Sequence, residues 1–201
     1  MLATLTRVTD RVIEFTKPAD GIPPLLFRLI LAPVMMQAGW TKYTGFSDTA
    51  AWFGNPDWGL GLPFPELMVG LVIAAELVGG SLLLIGLATR WVSIPLMVTM
   101  LVAMFAVHWD NGWLALSDAT SWLANDRVLE AAERKARIIE ILREYGNYDW
   151  LTGRGSVTIL NNGIEFAAMY FAMLLSLFFT GGGRYFSIDY WIRALSRNRH
   201  S

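Results

Sequence analysis

The sequence contains no cysteine. Disulfides, thiolate metal ligation and Cys-x-x-Cys redox chemistry are therefore excluded within this chain. Only two histidines occur. No HExxH, DxD, Walker-type or GxSxG pattern is present, so a hydrolase or NTPase of the soluble kind is excluded as a reading. Charge is sparse and balanced, with 16% charged residues and a formal net charge of −1. Nothing in that balance provides the basic field that nucleic acid requires. Internal repeats and low-complexity tracts are absent too, which points to a single domain over residues 1–201.

What the chain has in abundance is apolar residues. They make up 54% of the sequence, its mean hydropathy is +0.42, and they fall in blocks. Residues 64–87 and 91–109 are two such blocks, joined by three residues. Each is long enough to cross a hydrocarbon core of about 30 Å at about 1.5 Å per residue. The short joint makes them antiparallel neighbours. Similar blocks cover about 24–46 and 157–180. The pattern predicts an all-α integral membrane four-helix bundle. Nine tryptophans suit the two membrane–water interfaces.

Between the spans the sequence predicts amphipathic interfacial helices. Leu5, Val8, Val12 and Phe15 fall at helical spacing near the start. Arg7, Asp10, Arg11, Glu14 and Lys17 interrupt any signal-peptide core there. In the long connection 110–156, Asp126–Tyr145 places Leu129, Ala132, Ala136, Ile139 and Leu142 on one face and charges on the other. With four spans, both termini and the 88–90 turn share one side. That side carries Arg7, Arg11, Lys17, Arg90, Arg184, Arg193, Arg197 and Arg199. The opposite side has Lys42 and six basic residues diluted by acids in 110–156. The positive-inside rule then places both termini in the cytoplasm of a multi-pass bacterial inner-membrane protein.

Ionisable residues inside apolar blocks are the candidate site, because a charge in hydrocarbon must be paired or wet. Gln37 and Glu76 count to similar depth near the midplane. Lys42, His108 and Glu165 count to the outer half, with Asn161-Asn162 just above. Glu76, His108 and Glu165 are the candidate proton-handling groups, and Arg28, Gln37, Lys42 and Asn162 the candidate ligand-binding ones. A structural polar network that fixes helix register is the alternative. Arg28 sits one turn into the first span, where Asp189 can reach it; the alternative is that it snorkels alone. Met100, Met104 and His108 follow one another at i+4, and Met169 follows Glu165. Thioethers with imidazole suit Cu(I), though methionine also serves as a flexible core filler.

Several motifs together resemble the DoxX family. They are Arg28-Leu29 with Gly39 and Lys42, Ala75-Glu76-Leu77-Val78-Gly79-Gly80 with Gly86-Leu87 and Arg90, and GGGRYFSID at 181–189. Gly182 stands where the family often has proline. The likeness extends over nearly all the chain except 110–156, a connection longer than usual in the family. The resemblance implies a small four-helix membrane protein without a well-defined catalytic site. It would act beside membrane oxidoreductases, including thiosulfate–quinone oxidoreductase subunits and redox-stress complexes. The stretch REYGNYDWLTGRGSVTILNNGIEF resembles a subgroup encoded beside copper-binding, ribosomally made peptides. The partners so implied are lipids, other membrane or periplasmic proteins, and such a peptide or its biosynthetic enzymes. Three functions stay open: an accessory protein in redox or copper homeostasis, a quinone-handling oxidoreductase subunit, and a small metal or solute conduit.

Overall fold

A computed structural model describes residues 2–198, and of residues 2–5, 7 and 8 the backbone alone. Arg199 therefore lies outside the described residues, as do the side chains of Leu5, Arg7 and Val8. The described residues are helical, with one isolated extended pairing between Leu116 and Leu160. The helices are α1 (Leu2–Thr16), α2 (Ile22–Thr44), α3 (Phe46–Gly54), α4 (Pro65–Ile85), α5 (Thr89–Val102), α6 (Asp126–Tyr145), α7 (Tyr148–Thr152), α8 (Glu165–Thr180) and α9 (Ile188–Asn198). Two compact units contain them, Met1–Thr99 with Tyr170–Ser201, and Met100–Met169.

Three helical stretches are long and apolar enough to cross a membrane: Ile22–Thr44, Pro65–Ile85 and Thr89–Asn111. They coincide with the first three apolar blocks. Proline opens two of them, Pro23-Pro24 in α2 and Pro65 in α4, where the missing N–H has no helical partner to lose. The fourth block behaves differently. Its helix, α8, begins at Glu165 and has 16 residues, about 24 Å at the usual rise. Residues 157–164 are extended or turned instead. The amides of Asn161, Asn162, Gly163, Ile164 and Glu165 bond carbonyls of residues 112–115 rather than their own helix. Asn162, at φ +60°, turns the chain, as asparagine tolerates better than most residues.

In the first unit α2 packs against α4 at close range. A Cβ on Gly39 would meet Glu76 Cβ at 3.0 Å and the Leu77 amide at 3.1 Å. One on Gly80 would meet the Ala32 carbonyl at 3.2 Å. Small residues on both helices thus let the backbones approach. The short helix α3 folds back on α4, and Ala50, Phe53, Val69 and Ile73 form a buried cluster there.

In the second unit the α5 helix widens into a π turn over Ala103–His108. Helix α6 has the bounds its sequence pattern predicts, capped by Asn125 Oδ1 on the Val128 amide at 3.1 Å. Its buried side is led by Val128 and Ala131, while Leu129 and Ala136 are exposed. The face is therefore turned from the one read off the sequence. Its charges make the exposed pairs Glu130–Arg134 and Arg137–Glu140, a solvated surface of small energetic weight.

Candidate functional site

Glu76 lies at the centre of α4 and is 3% exposed. Its two carboxylate oxygens accept from Lys42 Nζ at 2.9 and 2.8 Å. Lys42 belongs to the last turn of α2. Side chains on a helix lean toward its N-terminus, and the lysine stem runs back far enough for Nζ to lie 3.5 Å from the Ala38 carbonyl. One turn of lean brings the ammonium down to the level of the acid, and Gly39 makes the room. Gln37, which counts to the same depth as Glu76, points away, and the polar partner within reach is Lys42 instead. It is exposed, and its amide reaches Thr41 Oγ1 on its own helix at 3.4 Å. Depth alone does not pick the partner, because Gln37 and Lys42 lie on different faces and a lysine spans a helical turn.

Arg28 is fully buried and held by main chain. Nη2 donates to the Tyr185 carbonyl at 2.8 Å, and Nη1 to the Phe186 and Leu83 carbonyls at 3.2 and 3.4 Å. The 181–189 motif thus closes over Arg28 through carbonyls rather than through Asp189. The Asp189 carboxylate accepts instead from the Ala88 and Thr89 amides at 2.8 and 2.9 Å, at the start of α5. Ser187 Oγ donates to Gly86 O at 3.1 Å and the Asp189 amide donates to the same carbonyl at 2.9 Å. Beside this clasp Arg184 pairs with Asp20 at 2.6 Å, which pushes the guanidinium above its ordinary range.

In the second unit the polar groups gather around Asn161, not Asn162. Asn161 is 2% exposed. Its amide nitrogen donates to the Asn111 and Leu114 carbonyls at 2.8 and 2.6 Å, and its oxygen accepts from Arg127 Nε at 3.2 Å. Asn162 is exposed, and its carbonyl accepts from Asn111 Nδ2 at 3.0 Å. Glu165 accepts from the Ala115 amide at 2.9 Å. No ion pair joins it to His108 among the described residues. His108 Nδ1 is buried without a hydrogen-bond partner among the described residues. Met100 and Met104 are buried, whereas Met169 is 42% exposed. The π turn explains the broken stripe. Each residue there turns through less than the α-helical angle, so His108 lags behind the i+4 line through Met100 and Met104. No cluster of three His, Cys, Asp or Glu side chains fit for a metal occurs among the described residues. The sequence reading passed over Asn161 as a hub; the turn-forming Asn-Asn-Gly run was the available signal.

Membrane-length apolar helices enclosing a buried ammonium–carboxylate pair define an all-α membrane protein. Within it residues 24–109, which hold Arg28, Lys42 and Glu76, match the model of the family described as DoxX. The match is narrower than the resemblance read from the sequence: the 181–189 motif falls outside it. A Bacillus subtilis (strain 168) protein named "Putative oxidoreductase CatD" is 35% identical over 86 residues, 43% of this chain and 60% of that protein. The similarity therefore spans about three fifths of that relative's length. No solved structure matches the chain.

Proposed function

We propose that the protein is a bacterial inner-membrane accessory subunit that works beside a partner oxidoreductase, with the Lys42–Glu76 pair as its working site. That pair carries the reading: it is the one close ion pair within the DoxX-matched stretch among the described residues. An ammonium and a carboxylate in contact can exchange a proton, and buried ionisable pairs of this kind commonly mark such sites. Electrons come from the partner, since the chain has no cysteine and no flavin-binding motif. In the quinone-handling form of this reading, the same pair supplies or accepts the protons of the quinone head. In the copper form, the partners are a copper-binding peptide or its biosynthetic enzymes.

Affinity purification from native membranes tests the proposal. We expect a flavin- or haem-bearing partner to co-purify with the wild type and to be lost with Glu76→Leu while the variant chain stays folded. Quinone extracted in proportion to protein supports the quinone form. Copper in proportion to the chain alone, with no redox partner, would overturn the proposal in favour of a conduit.

The proposed topology has four passes and cytoplasmic termini. It predicts that a single cysteine at Trp122, which is 91% exposed, reacts with an impermeant maleimide in cells with a permeabilised outer envelope. A cysteine at Arg197 should react only after lysis. The reverse labelling pattern would invert the assignment.

A further inference from the structure

Two clefts adjoin at the end of the first unit where α9 returns to the spans. One, of about 690 Å³, is lined by Asp20, Arg184, Arg193 and Arg197, with Pro24 of α2 and Thr180 of α8 at its walls. The other, of about 200 Å³, is lined by Arg90, Arg193 and Asp189, with Trp91 and Ile192 beside them. Arg193 belongs to both.

Four arginines face two aspartates across the clefts, and both aspartates are engaged. Asp20 is paired with Arg184, and the Asp189 carboxylate is held by two backbone amides. Arg90 and Arg197 have no ion pair among the described residues. Arg90 Nε and Arg193 Nη2 lie 3.3 and 3.8 Å from the place a Gly181 Cβ would occupy. Two guanidinium groups thus converge on one point at the C-terminus of α8. The Asp189 carboxylate keeps its charge when bonded by amides, and with the helix end's about half a negative charge it still falls short of the two guanidiniums. The walls of the clefts are the first turn of α2, the α4–α5 turn and the last turn of α8, all ends of apolar helices. Trp91, Trp191, Ile192 and Leu195 are exposed around them. A positive fork beside exposed aromatic and aliphatic side chains at the ends of apolar helices matches the two halves of a lipid, phosphate and acyl chain.

We infer that these clefts bind the phosphate of an anionic phospholipid, with Arg90 and Arg193 as the fork, Arg197 at the rim, and Trp91 and Ile192 against the glycerol and acyl chains. The site is independent of the redox reading. Its test uses the full chain in mild detergent, with binding of phosphatidylglycerol, phosphatidylcholine and inorganic phosphate followed by native mass spectrometry and thermal shift. The wild type should prefer phosphatidylglycerol. Arg90→Gln with Arg193→Gln should weaken that binding roughly 10- to 30-fold. Arg143→Gln with Arg154→Gln, which removes the same charge elsewhere, should leave it unchanged. Arg197→Gln alone, at an exposed unpaired residue, should give a smaller loss and serves if the double variant fails to fold. Equal binding of both lipids by the wild type, or an equal loss in the charge-matched control, would overturn the site. Inorganic phosphate that stabilises the chain as well as phosphatidylglycerol does would overturn the lipid as its ligand.

Discussion

Lys42→Met is expected to destabilise the folded chain by about 3 kcal/mol, the low end of the range for breaking a buried pair. Methionine keeps the stem's length and apolar contacts, so the change isolates the ammonium. It strands Glu76, 3% exposed, with neither oxygen bonded, and the acid must then take up a proton or draw in water. The low end applies because the Lys42 side chain is 27% exposed, so solvent already screens part of the attraction. For the same reason the two single variants should differ. Glu76→Leu leaves a lysine that can swing toward water, and its loss should be markedly smaller. The double variant should recover most of the stability, because well-packed apolar replacements of buried pairs are often neutral. Thermal unfolding in detergent gives all three values. Additive losses in the double variant would show that the pair is not coupled, and equal losses in the two single variants would show that the lysine gains nothing from its partial exposure. If the double variant is stable yet loses its partner, the pair is retained for function rather than for stability.

Gly86→Ala is expected to lower stability by about 3 kcal/mol or more, and Gly70→Ala to raise it by up to about 1 kcal/mol. Gly86 ends α4 at φ +66°, where a side chain adds about 1–2 kcal/mol of strain. The new methyl would also run into Arg28 Nη1 and lie 2.9 Å from Ser187 Cα. Neither can move freely, since Arg28 is fixed by three carbonyls and Ser187 bonds Gly86 O itself. Gly70 sits within the same helix with nothing within 4 Å of its added Cβ, so there only the helical preference for alanine acts. Parallel melting curves check the pair. A mild Gly86→Ala would mean that the arginine is not held by the turn.

The first three spans were legible because nothing competes with their apolar composition. Residues 65–85 carry Glu66 in the first turn and one acid at the centre, Glu76, and proline and glycine mark the ends of that helix. The fourth block misled because Val157, Ile159, Leu160 and Ile164 read as helix by hydropathy, while Asn161-Asn162-Gly163 dictates a turn. Local chemistry won there, since the amides found carbonyls on another segment. Glu76 was recognisable as a buried acid from its surroundings in sequence. Its partner was not, because counting residues gives the height of a Cα and not the reach of a lysine. The Arg28 clasp was half visible. The motif at 181–189 was seen to return to Arg28, yet backbone carbonyls leave no mark in a sequence, and the carboxylate that seemed the obvious partner serves a helix start instead.

The carbonyls that hold Arg28 come from Tyr185 and Phe186, 157 and 158 residues later in the chain. Synthesis at about 5–20 residues per second separates their emergence by roughly 10–30 s. During that interval a guanidinium that ends fully buried has only the Leu83 carbonyl of its three main-chain partners. Two of the three carbonyls that hold the arginine of α2 thus arrive only with the segment after α8. The end of the chain acts as a latch on its beginning, and a ribosome stalled short of Tyr185 would leave α2 inserted but unseated.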